Sequence, residues 1–320
     1  MRKLLNHVYE AIGETPMVRL DRITKAYGVE GSILAKLEYL NPGFSKKDRP
    51  ARQMIEEAEA SGALKPGQAV VELTSGNTGT GLAIVCRAKG HPFIACMSEG
   101  NSPERARMMR ALGAEVFIIK KAHNDVAGEV SGDDLAMVEE AAQALTRERN
   151  AFRADQFRLA GASNGHLHHT AEEMWEQSDG KIDAFVDFLG SGGTFAGCAR
   201  GLKNHNPAIR CYAVEPEAAA KYAGLPTQRQ GAHKVQGGGY NMDLPLLDKA
   251  LVEEFIQVSD GEVVECTRNL ALHESAFVGF SSGANVIAAI KLLQGRERGK
   301  NIALTLNDSG LKYLSTDLFL

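Results

Sequence analysis

Short apolar runs alternate with helical patterns along most of this chain, and that rhythm restricts the possible folds more than any single motif does. Ile33 to Leu40 alternates as a strand does. Ala51, Met54, Ile55 and Ala58 then mark a helical face ending at Ser61-Gly62. Lys65-Pro66-Gly67 makes a turn, Ala69 to Leu73 a short strand, and Leu82, Ile84, Val85 and Ala88 a helix stopped by Gly90 and Pro92. Pro92 to Met97 is the next strand. Ser102-Pro103-Glu104 opens another helix with an N-cap, a proline at the first position and an early acid. Met108, Met109 and Leu112 give it an apolar stripe, and Ala114 to Ile119 returns to strand. The second half repeats the pattern, with strands near 183–189, 209–215, 254–258 and 301–306 and helices near 165–177, 193–203, 260–274 and 281–294. Such alternation implies βαβ units, a largely parallel sheet and right-handed crossovers. A loop-rich interval from about 216 to 247 breaks the rhythm, and long loops in α/β folds are often functional. The expected fold class is α/β, two open twisted lobes with a cleft between them and no linker separating independent modules.

Composition narrows the functional classes. At 320 residues the chain is long enough for two lobes, and 44% hydrophobic with 24% charged residues is ordinary globular usage. The net charge of −4 is spread without blocks, so no basic face invites nucleic acid. No apolar run approaches the roughly 20 residues of a membrane span. The stretch from Met1 to His7 lacks the apolar core of a signal peptide, and a cytoplasmic location is expected. Cysteines stand alone at 86, 96, 198, 211 and 266, which fits a reducing compartment better than a disulfide framework. Four of them, Cys86, Cys96, Cys198 and Cys211, fall in apolar runs and read as small core residues. No C-x-x-C pair marks a zinc site, and no metal is expected. His166, His168 and His169 lack acidic or cysteine partners in range and read as solvated or remote from any cofactor.

Four loops carry candidate chemistry. Asn41-Pro42-Gly43-Phe44-Ser45-Lys46-Lys47-Asp48-Arg49 leads into the first of the helices above and presents two lysines. Neighbouring helical residues point roughly 100° apart, so at most one of Lys46 and Lys47 is expected to face a pocket. Leu189-Gly190-Ser191-Gly192-Gly193-Thr194 lies between a strand and a helix, where exposed amides and the positive helix end converge on an anion. The dinucleotide fingerprint fails there, because the position of its third glycine is Phe195, and the P-loop spacing is absent. What remains fits one phosphate monoester, with Ser191 and Thr194 adding hydroxyls. Thr74-Ser75-Gly76-Asn77-Thr78-Gly79 has the same placement and no fixed charge, as suits a carboxylate held by amides and hydroxyls. Asn301 to Leu306 is an apolar strand ending in the polar Asn307-Asp308-Ser309-Gly310. Each loop also has a plain reading: solvated lysines, a glycine turn that binds nothing, an N-capped helix start.

Taken together these residues resemble the fold-type-II, pyridoxal-phosphate-dependent cysteine synthase and cystathionine β-synthase family, from Ile12-Gly13-Glu14-Thr15-Pro16 to Leu311-Lys312-Tyr313-Leu314-Ser315-Thr316. Its N-P-x-x-S-x-K-D-R pattern falls on Asn41 to Arg49, and that register selects Lys47 as the lysine carrying pyridoxal 5'-phosphate. The resemblance implies that Gly190, Ser191, Gly192, Gly193 and Thr194 cradle the phosphate, that Asn77 reaches the phenolic oxygen, and that Ser309 meets the ring nitrogen. Asp308 is the alternative to Ser309, since successive strand residues point oppositely. It further implies that Thr74, Ser75, Gly76, Thr78 and Gln156 hold the amino acid, under the loop from His233 to Gly239, with Gly237 and Tyr240 at the substrate. One catalytic unit is expected over 8–310, with a smaller lobe at 40–155 and a larger one at 13–39 plus 156–320. A homodimer is expected from the resemblance alone.

The implied activity is β-replacement on an O-activated L-serine, most simply O-acetyl-L-serine, with sulfide or another small nucleophile, through an aminoacrylate. Lys47 would be the general base, and a neutral hydroxyl at the ring nitrogen would favour prompt elimination over transamination. Gly239-Tyr240 instead resembles cystathionine β-synthases, which use unactivated serine, and a tyrosine there could assist a poor leaving group. Gln156-Phe157 continues as Arg158-Leu159-Ala160-Gly161, a departure from the family's polar run, and Arg158 reads as a surface residue or as a reader of a second carboxylate. Rival activities are a serine-using cystathionine, cyanoalanine or diaminopropionate synthase, and a serine or threonine dehydratase. A nucleotide-binding dehydrogenase is disfavoured by the missing glycine, and an idle scaffold by the complete lysine and phosphate motifs.

Overall fold

The computed structural model describes residues 4–121, 132–224 and 233–320. The described elements alternate as the sequence implies: β1 (Met17–Arg19), α1 (Asp21–Ala26), β2 (Ser32–Leu37), α2 (Asp48–Ala60), β3 (Val70–Leu73), α3 (Asn77–Lys89), β4 (Phe93–Ser98), α4 (Pro103–Ala111), β5 (Glu115–Ile119), α5 (Gly132–Glu148) and β6 (Phe152–Arg153). Then come α6 (Gly161–Gly165), α7 (Ala171–Gln177), β7 (Ala184–Phe188), α8 (Gly193–His205), β8 (Arg210–Pro216), β9 (Glu254–Val258), α9 (Asp260–Glu274), α10 (Phe280–Gln294) and β10 (Asn301–Leu306). Part of the loop-rich interval, 225–232, lies outside the described residues.

Two sheets form. Residues between 70 and 153 make a parallel sheet in the order β5-β4-β3-β6. The larger sheet runs β1-β2-β10-β7-β8-β9, parallel except where β1 pairs with β2. Its central strand, β10, comes last in the chain yet lies between β2 and β7, so the first and final thirds of the chain share one core. Strand burial follows this topology. β3, β4 and β7 are buried along their whole length and mostly apolar, with Glu72 and Asp187 as buried carboxylates in β3 and β7, whereas the edge strand β5 leaves Glu115 and Ile118 exposed. All five cysteines are buried and free, as apolar runs around them suggested for Cys86, Cys96, Cys198 and Cys211. The strand expected over 33–40 stops at Leu37, because Glu38 turns inward to take Arg49 and Thr15 as partners.

α9 and α10 cover one face of the larger sheet, their apolar faces joined in one cluster with β2, β7, β8 and β10. α9 begins with a capping box, in which Ser259 accepts from the Glu262 amide and Glu262 accepts from the Ser259 amide. The loops that follow β3, β6, β7 and β10 all leave the carboxyl ends of parallel strands, where open α/β sheets bind ligands. No described helix is long and apolar enough to cross a membrane.

Candidate active site

These loops, with the lysine loop and Gln236, Gly237 and Tyr240, line one cleft. The lysine loop is stitched onto the end of β10. The Lys46 amide donates to the Asn307 carbonyl at 2.8 Å, the Ser309 amide to Phe44 at 3.1 Å, and the Lys312 ammonium to Gly43 at 2.7 Å. Behind the loop, Arg49 grips Glu38 through Nε and Nη2, both at 2.8 Å, and Glu173 through Nη1 at 2.6 Å. This buried cluster fixes the first turn of α2, and Lys47 is the residue just before it.

Both lysines line the cleft, against the expectation that only one would. The 100° rule holds inside a helix, but Ser45 still pairs in extended fashion with Asp308, and α2 begins only at Asp48. The Lys47 ammonium lies 3.4 Å from the Ser191 hydroxyl of the glycine turn. Burial, followed by the neighbouring charge of Lys46, lowers its pKa to about 8, with Asp187 opposing. A group that must attack an aldehyde needs a neutral amine, and the lowered pKa raises the neutral fraction near pH 7.

The turn itself fits a phosphate. A Cβ at Gly190 would come within 2.9 Å of the Gly237 carbonyl, and Gly192 sits at φ +83°, so side chains are excluded where an anion would enter. The first amides of α8 have no intrahelical acceptors and face the same place. Gly190, Ser191, Gly192 and Thr194 line the cleft, while Gly193 stands behind it, its Cβ direction closed by the Ala162 carbonyl at 2.7 Å.

Opposite stands the hydroxyl loop, of which Thr74, Ser75, Asn77 and Thr78 reach the cleft. Thr74 accepts from the amides of Gly76 and Gly79 at 2.9 Å each, which caps α3 from within the loop. Gly76, at φ +122°, is packed against Arg105 and does not line the cleft. The Thr78 hydroxyl donates to Gln156 Oε1 at 2.6 Å, and the Gln156 amide donates to Glu72 and to the Leu73 carbonyl. Ser75 meets Tyr240, hydroxyl to hydroxyl, at 2.5 Å. Asn77 is clamped: Lys312 donates to its Oδ1 at 2.7 Å, and its Nδ2 donates to Asp308 at 2.8 Å, leaving one amide hydrogen for the cleft. Gly237 and Tyr240 close the far wall.

Three expectations are corrected. Ser309 does not reach the cleft: its hydroxyl caps the turn at Leu311 and its backbone pairs with Val278. Asp308 does not reach it either, because its carboxylate accepts from Asn77 and from the Tyr313 hydroxyl. Besides Ser75 and Ser191, the wall contains Ser281, at the start of α10, and Asn307 from the end of β10. Finally, His166 is neither solvated nor remote. It is fully buried in a π-helical turn, with Nδ1 2.9 Å from the Thr170 hydroxyl and Nε2 3.1 Å from that of Thr194 in the glycine turn. A histidine four residues before a threonine was the only signal in the sequence. His168 and His169 are exposed, and Arg158 is an exposed residue paired with Asp155 at 2.8 Å. Lys46, Asp187 and Arg105 also line the cleft and were missed.

Two α/β sheets, a cleft lysine with a lowered pKa and a glycine turn facing it define a fold-type-II enzyme site for an aldehyde-bearing phosphate ester. The family model described as pyridoxal-phosphate dependent enzyme matches residues 8–308, and the chain belongs to that family. It is 37% identical over 312 residues to cysteine synthase 3 of Caenorhabditis elegans, covering 97% of this chain and 88% of that protein. It is 36% identical over 315 residues to the cystathionine beta-synthase of Apis mellifera, covering 98% of this chain but only 61% of that one. A solved structure, the O-acetylserine dependent cystathionine beta-synthase of Helicobacter pylori, superposes with a TM-score of 0.88 at 32% identity over the whole of both chains.

Proposed function

We propose that the chain catalyses β-replacement on an O-activated L-serine, most simply O-acetyl-L-serine, with sulfide or another small nucleophile, giving L-cysteine or a related amino acid. The observation that carries this reading is the approach of Lys47 to Ser191, opposite a hydroxyl loop free of fixed charge. Pyridoxal 5'-phosphate, when bound, supplies a conjugated ring that accepts electron density from the substrate α-carbon. Gly190, Ser191, Gly192, Gly193 and Thr194 would hold its phosphate, Asn77 its phenolic oxygen, and Ser281, in place of Ser309, its ring nitrogen. Lys47 would carry it, and its amine would move the substrate α-proton. Thr74, Ser75, Thr78 and Gln156 orient the amino-acid carboxylate, with Gly76 shaping the turn behind them and Gly237 and Tyr240 covering it. The relatives named cysteine synthase and O-acetylserine dependent cystathionine beta-synthase support this substrate class.

A specific observation favours a second reading. The Tyr240 hydroxyl reaches into the hydroxyl loop, where it could protonate a poor leaving group such as the hydroxide of free serine. The same proposal includes lobes at 40–155 and at 13–39 plus 156–320, a homodimer and a cytoplasmic setting. Two experiments test it. Borohydride reduction followed by peptide mass spectrometry should find the cofactor on Lys47, and an unlabelled Lys47 in saturated protein would refute the assignment. A screen of acetyl, phospho and free serine against sulfide, homocysteine, cyanide and ammonia should give turnover with the acetyl ester. Pyruvate release without a nucleophile would point to a dehydratase instead.

A further inference from the structure

Lys46 is not needed to carry the cofactor, yet it is buried in the same cleft beside the residue that does. Its ammonium lies 2.6 Å from Asp187 Oδ1, and both side chains are almost wholly shielded from solvent. Asp187 is the one carboxylate among the described residues of the cleft wall. Its Oδ1 also accepts from Thr305 at 3.1 Å and from Asn285 at 3.4 Å, so three donors hold it in place. The pair is therefore anchored in β7, β10 and α10, and Lys46 cannot swing to solvent without leaving a buried carboxylate short of a cation.

We propose that Lys46, pinned by Asp187, is a positioning residue that disfavours a proton on the Lys47 nitrogen and so keeps that nitrogen ready to act as nucleophile and base. The proposal rests on Lys47 being the cofactor lysine. The charged groups around Lys47 are Lys46, Asp48 and Arg49 from its own segment, Asp187 from β7, Arg105 from α4 and His166 from the turn before α7. Asp48 is occupied by the Gly43 amide and Arg49 by Glu38 and Glu173, while burial holds His166 neutral. Arg105 is held by the Ser75 carbonyl and lies over the Tyr313 ring. Lys46 is thus the cation left to act on Lys47, and its effect outweighs that of Asp187. Pairing with Lys46 also neutralises Asp187, so the cleft offers no free carboxylate that would reverse the field.

The test is a pH titration of the visible absorption of the cofactor-loaded protein, which reads the proton on the Lys47–cofactor link without reference to turnover. Lys46→Met should raise the midpoint by about one pH unit, a tenfold change in proton affinity. Lys46→Arg keeps the charge and should restore the native midpoint. Asp187→Asn should lower it. Should Lys46→Met fail to fold around an unpaired Asp187, comparing Asp187→Asn with the Lys46→Met/Asp187→Asn double variant isolates the Lys46 charge, and the double variant should titrate at the higher pH. A midpoint that stays put or falls on losing Lys46 in either background overturns the proposal. Failure of the parent reading looks different: borohydride would then leave Lys47 unmodified in every variant.

Discussion

The hydroxyl of Tyr240 lies 2.5 Å from that of Ser75, joining the loop after Gly237 to the turn that opens α3. Arg105 donates to the Ser75 carbonyl at 2.7 Å, so Ser75 is held from both ends. Burial raises the pKa of the Tyr240 phenol, which therefore stays protonated and able to donate at neutral pH.

That contact separates the two substrate readings. Tyr240→Phe removes the phenolic proton and keeps the ring. Turnover of O-acetylserine, whose acetate leaves unaided, should change less than about threefold. Turnover of free serine, wherever it is measurable, should fall by at least tenfold, within the range of general acid catalysis. Steady-state kinetics on both substrates decide the matter, and equal losses would remove the tyrosine from any proton-donating role.

Ser281→Ala and Ser309→Ala should behave oppositely. Ser281 lines the cleft, so its loss should shift the visible spectrum of the bound cofactor and lower kcat by more than tenfold. Ser309 only caps a short turn, so its loss should cost about 1 kcal/mol of stability with the spectrum unchanged. Absorption spectra with thermal melts on the two variants check this.

The contrast marks where the sequence stops being informative. Lys47, the glycine turn and the hydroxyl loop sit in local motifs whose chemistry shows in the order of residue types. Ser281 lies in Phe280-Ser281-Ser282-Gly283, which reads as a helix start, and only the packing of α10 on β10 brings it to the cleft. Ser309 is beside a strand end and looked better placed, but Asn307 is where the chain turns from the cleft. Lys46 was set aside by a helical rule applied one residue too early. Strand positions were legible from apolar runs, yet the insertion of β10 between β2 and β7 was not, because pairing across the whole chain leaves no local trace.

His166 makes stability depend on pH. Burial and the nearby cations Lys46, Arg49 and Lys47 push its pKa well below the ordinary 6.5, so the folded protein holds it neutral. The unfolded chain takes up that proton first. Its contribution is therefore whole above pH 6.5 and is lost as pH falls toward the folded value, with a slope of about 1.4 kcal/mol per pH unit. His233 and His169 are shifted the same way, so His166→Gln should flatten the acid side of the melting-temperature profile without abolishing it. The same variant releases Thr194 and should weaken cofactor binding about tenfold, by loss of one buried hydrogen bond. Melts from pH 7.5 down to 5 and a cofactor titration test both expectations.

Glu173 ties the two ends of the buried charge cluster together. It accepts from Arg49 at 2.6 and 2.8 Å and pairs with Lys36 at 2.6 Å, whose side chain has no exposure at all. These cations hold its carboxyl at about 2, against the cost of its own burial. Its stabilisation is therefore present above the unfolded value of 4.5 and is lost only as pH falls toward 2. Glu173→Gln leaves Lys36 with the Thr15 carbonyl and Gln177 but without its ion-pair partner, and removing one partner of a buried pair costs roughly 3–5 kcal/mol. Adding Lys36→Met removes the stranded ammonium and should recover more than half of that loss. The loss also loosens Arg49 and, with it, the turn that presents Lys47, so cofactor affinity should fall in the single variant and stay low in the double, where Arg49 still lacks that carboxylate. Denaturant unfolding and cofactor titration on wild type, both singles and the double form a closed cycle. Additive costs, or a double variant weaker than Glu173→Gln alone, would show that the cluster does not act as a unit.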